Sequence, residues 1–307
     1  MDKGSVDLST RLGRIKLKNP VLVASGTFGY GKEYSSLVDL NKLGGIITKS
    51  LTLKPRPGNP PPRLAETPAG LLNSIGLENP GVEYFIKNNL PFLKKLNTAL
   101  IVSIAGESEK EYLKVAENLQ KENSIDALEI NVSCPNVKMG GYITGKNPHL
   151  VFSLVKNIKK TVDFPLIVKL TPEVTDIVEI AEAAIKGGAE VLSLINTIPG
   201  MAVDTVTYRP KLGSITGGLS GPAIKPVAVR AVWEVYRKLN IPIIGMGGIM
   251  CLEDVVEFVL AGASAVAIGT ANFIDPETSI KIIDQLKNYM FKEQIKRFSD
   301  LIGQIKI

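Results

Sequence analysis

Eight short apolar runs, spread over most of the chain, limit what this sequence can fold into more than any other feature. They occupy residues 21–24, 45–49, 99–104, 127–131, 165–169, 191–195, 241–246 and 265–268, and Val, Ile and Leu dominate them. Each is too short for a helix, and continuous apolar character suits a parallel strand buried on both faces. A helical pattern follows each run. Residues 109–121 set Tyr112, Val115, Ala116 and Leu119 on one stripe, the mark of a helix with one buried face. Residues 151–160, 174–186, 227–239 and 252–260 read similarly. Strands alternating with helices imply right-handed crossovers and a parallel sheet. Eight such units fit a closed (β/α)8 TIM barrel better than an open doubly wound sheet.

Three segments exceed a bare barrel. Residues 8–17 read as a hairpin turning near Gly13 and plugging the barrel bottom, 54–70 as a Pro-rich irregular excursion, and 200–221 as a long Gly-containing connection. Both long segments leave from the C-terminal ends of strands, the side on which barrel enzymes build their active sites, and connections of that length are usually functional. With 307 residues, 45% of them hydrophobic, the chain holds enough apolar material for one large core, so a single barrel domain over 1–307 is expected. Two cysteines, Cys134 and Cys251, make no disulfide framework, which points to a reducing cytoplasm. No apolar signal core opens the chain, and no run approaches the roughly 20 apolar residues of a membrane span. The formal charge of +6 comes from lysines scattered in short clusters such as Lys94-Lys95 and Lys159-Lys160, without interleaved aromatics. That describes a solvated surface, not a nucleic-acid or membrane partner.

Two strand ends are rich in glycine: Gly245-Met246-Gly247-Gly248 after the seventh run and Gly269-Thr270 after the eighth. Glycine lets backbone N–H groups approach an anion with no Cβ in the way, and the usual phosphate site of a barrel lies after strands seven and eight. Tight turns alone would explain one such pair; two at the two expected strands favour a phosphate-bearing cofactor. Ser220-Gly221-Pro222 reads as a helix start whose free N–H groups could add a third contact, or as an ordinary cap.

The remaining strand ends carry Ser25, Lys49-Ser50, Ser103, Asn131, Lys169 and Asn196-Thr197. A lysine closing a buried strand needs an anionic or electron-rich partner, because an unpaired buried ammonium is costly. Either lysine alone could form a Schiff base; two of them beside amides suit a flavin edge and an acidic substrate better. Cys134 lies just past the fourth strand, between Asn131 and Asn136. A thiol there can act as a base if its site favours the thiolate. Cys251 reads as packing, and His149 as a surface or capping residue.

Together these residues resemble the dihydroorotate dehydrogenase family over essentially the whole chain. The most specific match is Asn131-Val132-Ser133-Cys134-Pro135-Asn136; Asn73-Ser74-Ile75-Gly76-Leu77-Glu78-Asn79-Pro80-Gly81 resembles the family's substrate loop, and Ala24-Ser25-Gly26-Thr27-Phe28-Gly29-Tyr30-Gly31 its class 1B opening. The resemblance implies FMN against Ser25, Lys49, Ser50, Ser103, Asn131, Lys169, Ile195, Gly221, Gly247, Gly248, Gly269 and Thr270. It implies dihydroorotate or orotate against Lys49, Asn73, Ser74, Ile75, Gly76, Leu77, Asn131, Asn136, Asn196 and Thr197. Cys134 becomes the base that removes the C5 proton while a hydride leaves C6 for FMN. Ser103 departs from the asparagine frequent in the family, which weakens the expectation of a direct flavin contact there.

The chain carries no cysteine cluster for iron–sulfur ligation. The class 1B likeness therefore implies a partner subunit with FAD and a [2Fe-2S] cluster, passing electrons to NAD+ from a homodimer core within a heterotetramer. A class 1A homodimer using fumarate, and another FMN barrel reductase acting on a pyrimidine, are the alternatives.

Overall fold

The computed structural model describes residues 6–132, 138–139 and 142–306. Eight parallel strands close into a barrel: β1 Val21–Val23, β2 Gly45–Ile47, β3 Ala99–Ile104, β4 Ala127–Asn131, β5 Leu166–Leu170, β6 Val191–Leu194, β7 Ile243–Met246 and β8 Ala265–Ile268, each paired with its neighbours in chain order. All eight fall within the apolar runs to within a residue. Their register sets Ser103 beside Glu129, and Lys169 beside both Asn131 and Ser193. Successive residues of a strand face opposite ways, so every second side chain enters the barrel. The outward set, including Val102, Leu128, Ile130 and Val168, packs under the helices.

Those helices are α1 Glu109–Leu119, α2 Pro148–Thr161, α3 Ile177–Gly187, α4 Lys225–Lys238, α5 Leu252–Leu260 and α6 Thr278–Lys292. Local chemistry sets several of their ends. Ser108 and Asp176 cap α1 and α3 by accepting backbone N–H groups, and Asn147 caps α2 ahead of Pro148, satisfying donors that a helix start leaves open. His149 is exposed in the first turn of α2, as expected of a surface residue. The helical pattern fails in two places. Between β1 and β2 there are only two short 3-10 turns, Lys32–Tyr34 and Leu40–Lys42; Gly29 and Gly31, both at positive φ, break that stretch. Residues 82–93 form a helix whose middle, Phe85–Asn89, is π-wound.

The hairpin Thr10–Leu12 and Ile15–Leu17 turns through Gly13 at φ 57°. Its inward residues Leu12, Ile15 and Leu17 are buried against Leu22, Ile47, Ile101, Ala127, Ile167 and Ile244, sealing the barrel bottom. At the opposite end the two long excursions are not irregular throughout. Strands Ile198–Met201, Thr216–Ser220, Gly70–Asn73 and Leu64–Thr67 form a four-stranded antiparallel sheet in that order. That sheet is the wall over the barrel mouth.

Candidate active site

The C-terminal strand ends and the antiparallel sheet enclose a cavity of about 480 Å³. It gathers Ser25, Lys49, Ser50, Asn131, Lys169, Ile195, Asn196 and Thr197 from the strand ends, and Asn73, Ser74, Ile75, Gly76 and Leu77 from the sheet and the loop after it. Gly221, Gly247, Gly248, Gly269 and Thr270 line the opposite side. Sequence position alone did not indicate Asn59, Glu173, Phe273 or the strand segment 216–218 as lining.

The glycine side is backbone-walled. Gly247 and Gly248 adopt φ of +121° and +81°, and a Cβ on Gly248 would stand 2.7 Å from Lys225 Cβ and 2.8 Å from the Gly221 carbonyl. Only glycine fits there. At Gly26 an added Cβ would meet nothing within 4 Å, so it would project into open space beside the cavity. Bare backbone on two sides of one cavity is what a bulky anionic group needs for close approach. Ser220 does not cap a helix, because α4 begins only after a 3-10 turn, Pro222–Ile224, that has no side-chain cap. Instead the Ser220 hydroxyl ends a strand, donates to the Leu71 carbonyl and accepts from Thr270 Oγ1 at 2.8 Å, tying the sheet to the β8 turn. Behind the turn, Lys225 pairs with Asp254 (2.7 Å) and Glu257 (2.6 Å). Hydrogen bonds to these two carboxylates push the lysine's pKa up.

The other side is a polar floor. Lys169, nearly buried, donates to Ser25 Oγ at 3.2 Å. The amide of Asn196 donates to Asn131 Oδ1 (3.3 Å), Asn131 Nδ2 donates to Ser50 Oγ (3.3 Å), and Ser50 Oγ bonds Ser103 Oγ (2.9 Å). Tyr112 on α1 donates to the Asn131 carbonyl at 2.8 Å, so the outer helix fixes the end of β4. Ser103 is fully buried and stands behind Ser50 rather than on the cavity wall. Its short side chain reaches a neighbouring hydroxyl and no further. Lys49 faces Glu78 at 3.6 Å, and Glu78 also binds Arg63 at 3.0 Å. Arg63 in turn donates to the carbonyls of Asn59 and Pro57, ordering the Pro-rich excursion, and Asn59 donates to Ser74 Oγ. Asn73 is held by a bond to the Gly218 carbonyl.

Cys134 and Asn136 lie outside the described residues. Cys251 is not packing: it is exposed and N-caps α5, with its backbone N–H donating to Asp254 Oδ2 at 3.1 Å. Among the described residues, no group of His, Cys, Asp and Glu is arranged to hold a metal ion, and no helix is long and apolar enough to cross a membrane.

A closed barrel whose mouth joins a bare glycine backbone to a lysine–asparagine floor has the build of a barrel enzyme, whose active site sits at the C-terminal strand ends. Known proteins narrow the class. The family profile "Dihydroorotate dehydrogenase" matches residues 7–290. A protein of Geotalea daltonii named "Dihydroorotate dehydrogenase B (NAD(+)), catalytic subunit" is 51% identical over 98% of this chain and 99% of its own length. One of the same name from Desulforamulus reducens is 52% identical over 97% and 98%. The solved structure of DHODH from Eimeria tenella in complex with ferulenol superposes with a TM-score of 0.80 at 23% identity, covering 99% of this chain and 90% of that one, a likeness of fold. The chain belongs to the dihydroorotate dehydrogenase family.

Proposed function

We propose that the chain is the FMN-binding catalytic subunit of an NAD+-linked enzyme that oxidises (S)-dihydroorotate to orotate in pyrimidine biosynthesis. One observation carries this reading: a single cavity joins the glycine turns of β7 and β8 to the Lys49, Asn131, Lys169 and Asn196 floor. The donor set fits FMN. The bare backbone at Gly247, Gly248, Gly269 and Thr270 would hold the phosphate; Ser25, Ser50, Asn131, Lys169, Ile195 and Gly221 would hold the rest, with Ser103 acting through Ser50.

The chain's own residues then divide the work. Lys49 presents a cation to the carboxylate of the substrate, exchanging its contact with Glu78 for that charge. Asn73, Asn131, Asn136, Asn196 and Thr197 offer the mixed donors and acceptors that an amide-like pyrimidine edge needs, and Ser74, Ile75, Gly76 and Leu77 shape the loop around it. Cys134 Sγ accepts the C5 proton as general base. Bound FMN supplies the acceptor for the hydride that leaves C6. Lys169, held by Ser25, would present a cation to the bound cofactor and favour its electron-rich form.

Electrons leave through a partner subunit carrying FAD and [2Fe-2S], assembled with a homodimer core of this chain as a cytoplasmic heterotetramer; the whole chain, 1–307, acts as one barrel domain. Supporting this are the relatives, which are themselves named catalytic subunits and NAD(+) enzymes, and a chain with only two cysteines.

Anaerobic mixing of the purified, FMN-supplemented chain with dihydroorotate tests the reading. Bleaching of flavin absorbance, with reduction of artificial acceptors but not of NAD+, is expected. A chain that stays colourless after supplementation overturns the cofactor, and efficient NAD+ reduction by the isolated chain overturns the partner.

A further inference from the structure

The loop on one side of the cavity is shaped by a residue that does not line it. Leu77 holds a φ of +56°, and Gly76 before it one of +72°. Glycine adopts that region freely; a bulky side chain does so only where its surroundings impose it. Both residues, with Ile75, line the cavity, and among the described residues no backbone carbonyl accepts from their N–H groups. Successive N–H groups in a turn of this kind make a concavity suited to an anion. What imposes the turn is Asn79, two residues on, 5% exposed and set back from the cavity wall. Its Nδ2 donates to the Leu77 carbonyl at 2.7 Å and to Thr52 Oγ1 at 2.8 Å. Its Oδ1 accepts from the backbone N–H groups of Thr52 (3.1 Å) and Gly81 (2.9 Å). Both donors and both lone pairs of the carboxamide are thereby used.

Thr52 is fully buried just past the end of β2, the strand end that carries Lys49 and Ser50. Its hydroxyl donates on to the Lys54 carbonyl at 2.7 Å, and Asn79 exchanges two backbone bonds with Arg56. The carboxamide is therefore a link between the end of β2 and the Leu77 turn, and it sets the loop's N–H groups at a fixed place relative to Lys49. We propose that Asn79 is a positioning residue, which holds the Leu77 turn in its left-handed form so that the loop and Lys49 receive one substrate together. This rests on the reading that the cavity binds dihydroorotate. Without the bond from Nδ2, Leu77 relaxes toward an ordinary φ and the loop must be rebuilt each time a substrate binds. Binding then weakens, while the chemistry of the substrate once bound proceeds nearly as before.

The test is calorimetric titration of the FMN-loaded full chain with orotate, beside steady-state oxidation of dihydroorotate with an artificial acceptor. Asn79→Asp keeps the size of the side chain and its Oδ1 acceptor but sets an oxygen against the Leu77 carbonyl. Its Kd for orotate and KM for dihydroorotate should rise about tenfold or more, while kcat stays within about threefold of wild type. Leu77→Gly supplies the control, because glycine takes a positive φ without penalty. In that background Asn79→Asp should raise Kd by only about threefold or less, the non-additivity of two residues that act through one turn. An equal rise in both backgrounds would mean a general structural role and overturns the proposal, as does an unchanged Kd in Asn79→Asp. If Asn79→Asp does not fold, Thr52→Val decides. Losing the hydroxyl frees one side of the carboxamide, so Kd for orotate should rise about threefold, and an unchanged Kd overturns the proposal. A wild-type chain that binds no orotate sinks the substrate reading and this inference with it, whereas normal orotate binding in wild type and in every variant sinks the inference alone.

Discussion

The two halves of the barrel interior are built by the same alternation of strand residues and filled with opposite chemistry. In the lower half, Leu12, Ile15 and Leu17 of the hairpin meet Ile47, Ile101, Ile167 and Ile244, and the space is closed by hydrocarbon. In the upper half the next inward positions are Ser103, Glu129, Lys169 and Ser193, all buried and all polar. The lower half stabilises through burial of apolar area; the upper half spends that stability on polar groups held with few partners. Substitutions should therefore separate cleanly, those above changing chemistry and those below changing stability.

The largest effect should come from the mouth. Cys134→Ala should lower dihydroorotate oxidation near neutral pH by about 100-fold or more, the usual contribution of a positioned general base, while flavin absorbance and unfolding midpoint stay as in wild type. Steady-state rates with an artificial acceptor measure this, and unchanged turnover would remove Cys134 as the base. Cys134→Ser should keep some activity, displaced to higher pH because a hydroxyl is a weaker acid. From the bottom of the barrel the pattern should invert. Leu17, fully buried in the plug, should cost about 2–5 kcal/mol when cut to alanine. Denaturant unfolding reads that loss, and turnover per folded molecule should be unchanged. A Leu17→Ala enzyme with a raised KM at full stability would break the division between the halves.

Gly248 joins stability to binding. Its φ of +81° and the 2.7 Å approach to Lys225 Cβ mean that Gly248→Ala must strain or shift the β7 turn, a cost of about 1–3 kcal/mol. Because the same turn faces the cavity, FMN affinity should fall roughly tenfold or more, the equivalent of about 1.4 kcal/mol. Fluorescence titration of the apo chain with FMN checks this. An alanine variant that binds FMN as wild type does would show that the turn's glycine serves packing alone.

The same contrast explains which parts of the molecule could be read from the amino-acid order. Barrel strands were legible because a parallel strand buried on both faces needs an unbroken apolar run, and the polar floor residues Ser25, Lys49, Ser50, Asn131, Lys169, Asn196 and Thr197 could be named from their place at strand ends. The antiparallel sheet over the mouth was not. It pairs Gly70–Asn73 with Thr216–Ser220 across well over a hundred residues, and Gly217 and Gly218 have no side chains to alternate. Glu129 was hidden for the opposite reason: within 127–131 a single carboxylate looks like an interruption of a strand, and only the closed barrel shows that it faces inward below Lys169. Cys251 looked like packing because a cap is defined by backbone angles that composition does not carry. Residues 278–292 did carry a stripe, Ile282, Leu286 and Met290, which the structure buries as α6.

The smallest effect tests whether the support behind the cavity is electrostatic. Lys225 on α4 binds Asp254 and Glu257 of α5, bracing the two helices behind the Gly248 turn. Burial raises the Asp254 pKa, but the hydrogen bonds from Lys225 and from the Met250 and Cys251 backbone outweigh it and hold the carboxyl below the usual range. A carboxylate depressed in this way contributes stability above its unfolded pKa of about 3.9 and loses it as pH falls through the lower folded value. Lys225→Gln should accordingly cost about 1 kcal/mol at neutral pH, the upper range for a salt bridge that water still reaches, here on the lysine side. The difference in Tm between the two proteins should shrink as pH drops below about 4, where Asp254 takes up its proton in both. A gap that persists unchanged to low pH would mean that the lysine braces α4 through its hydrocarbon stem, making the wall behind the glycine turn an extension of the apolar lower half and not of the polar mouth.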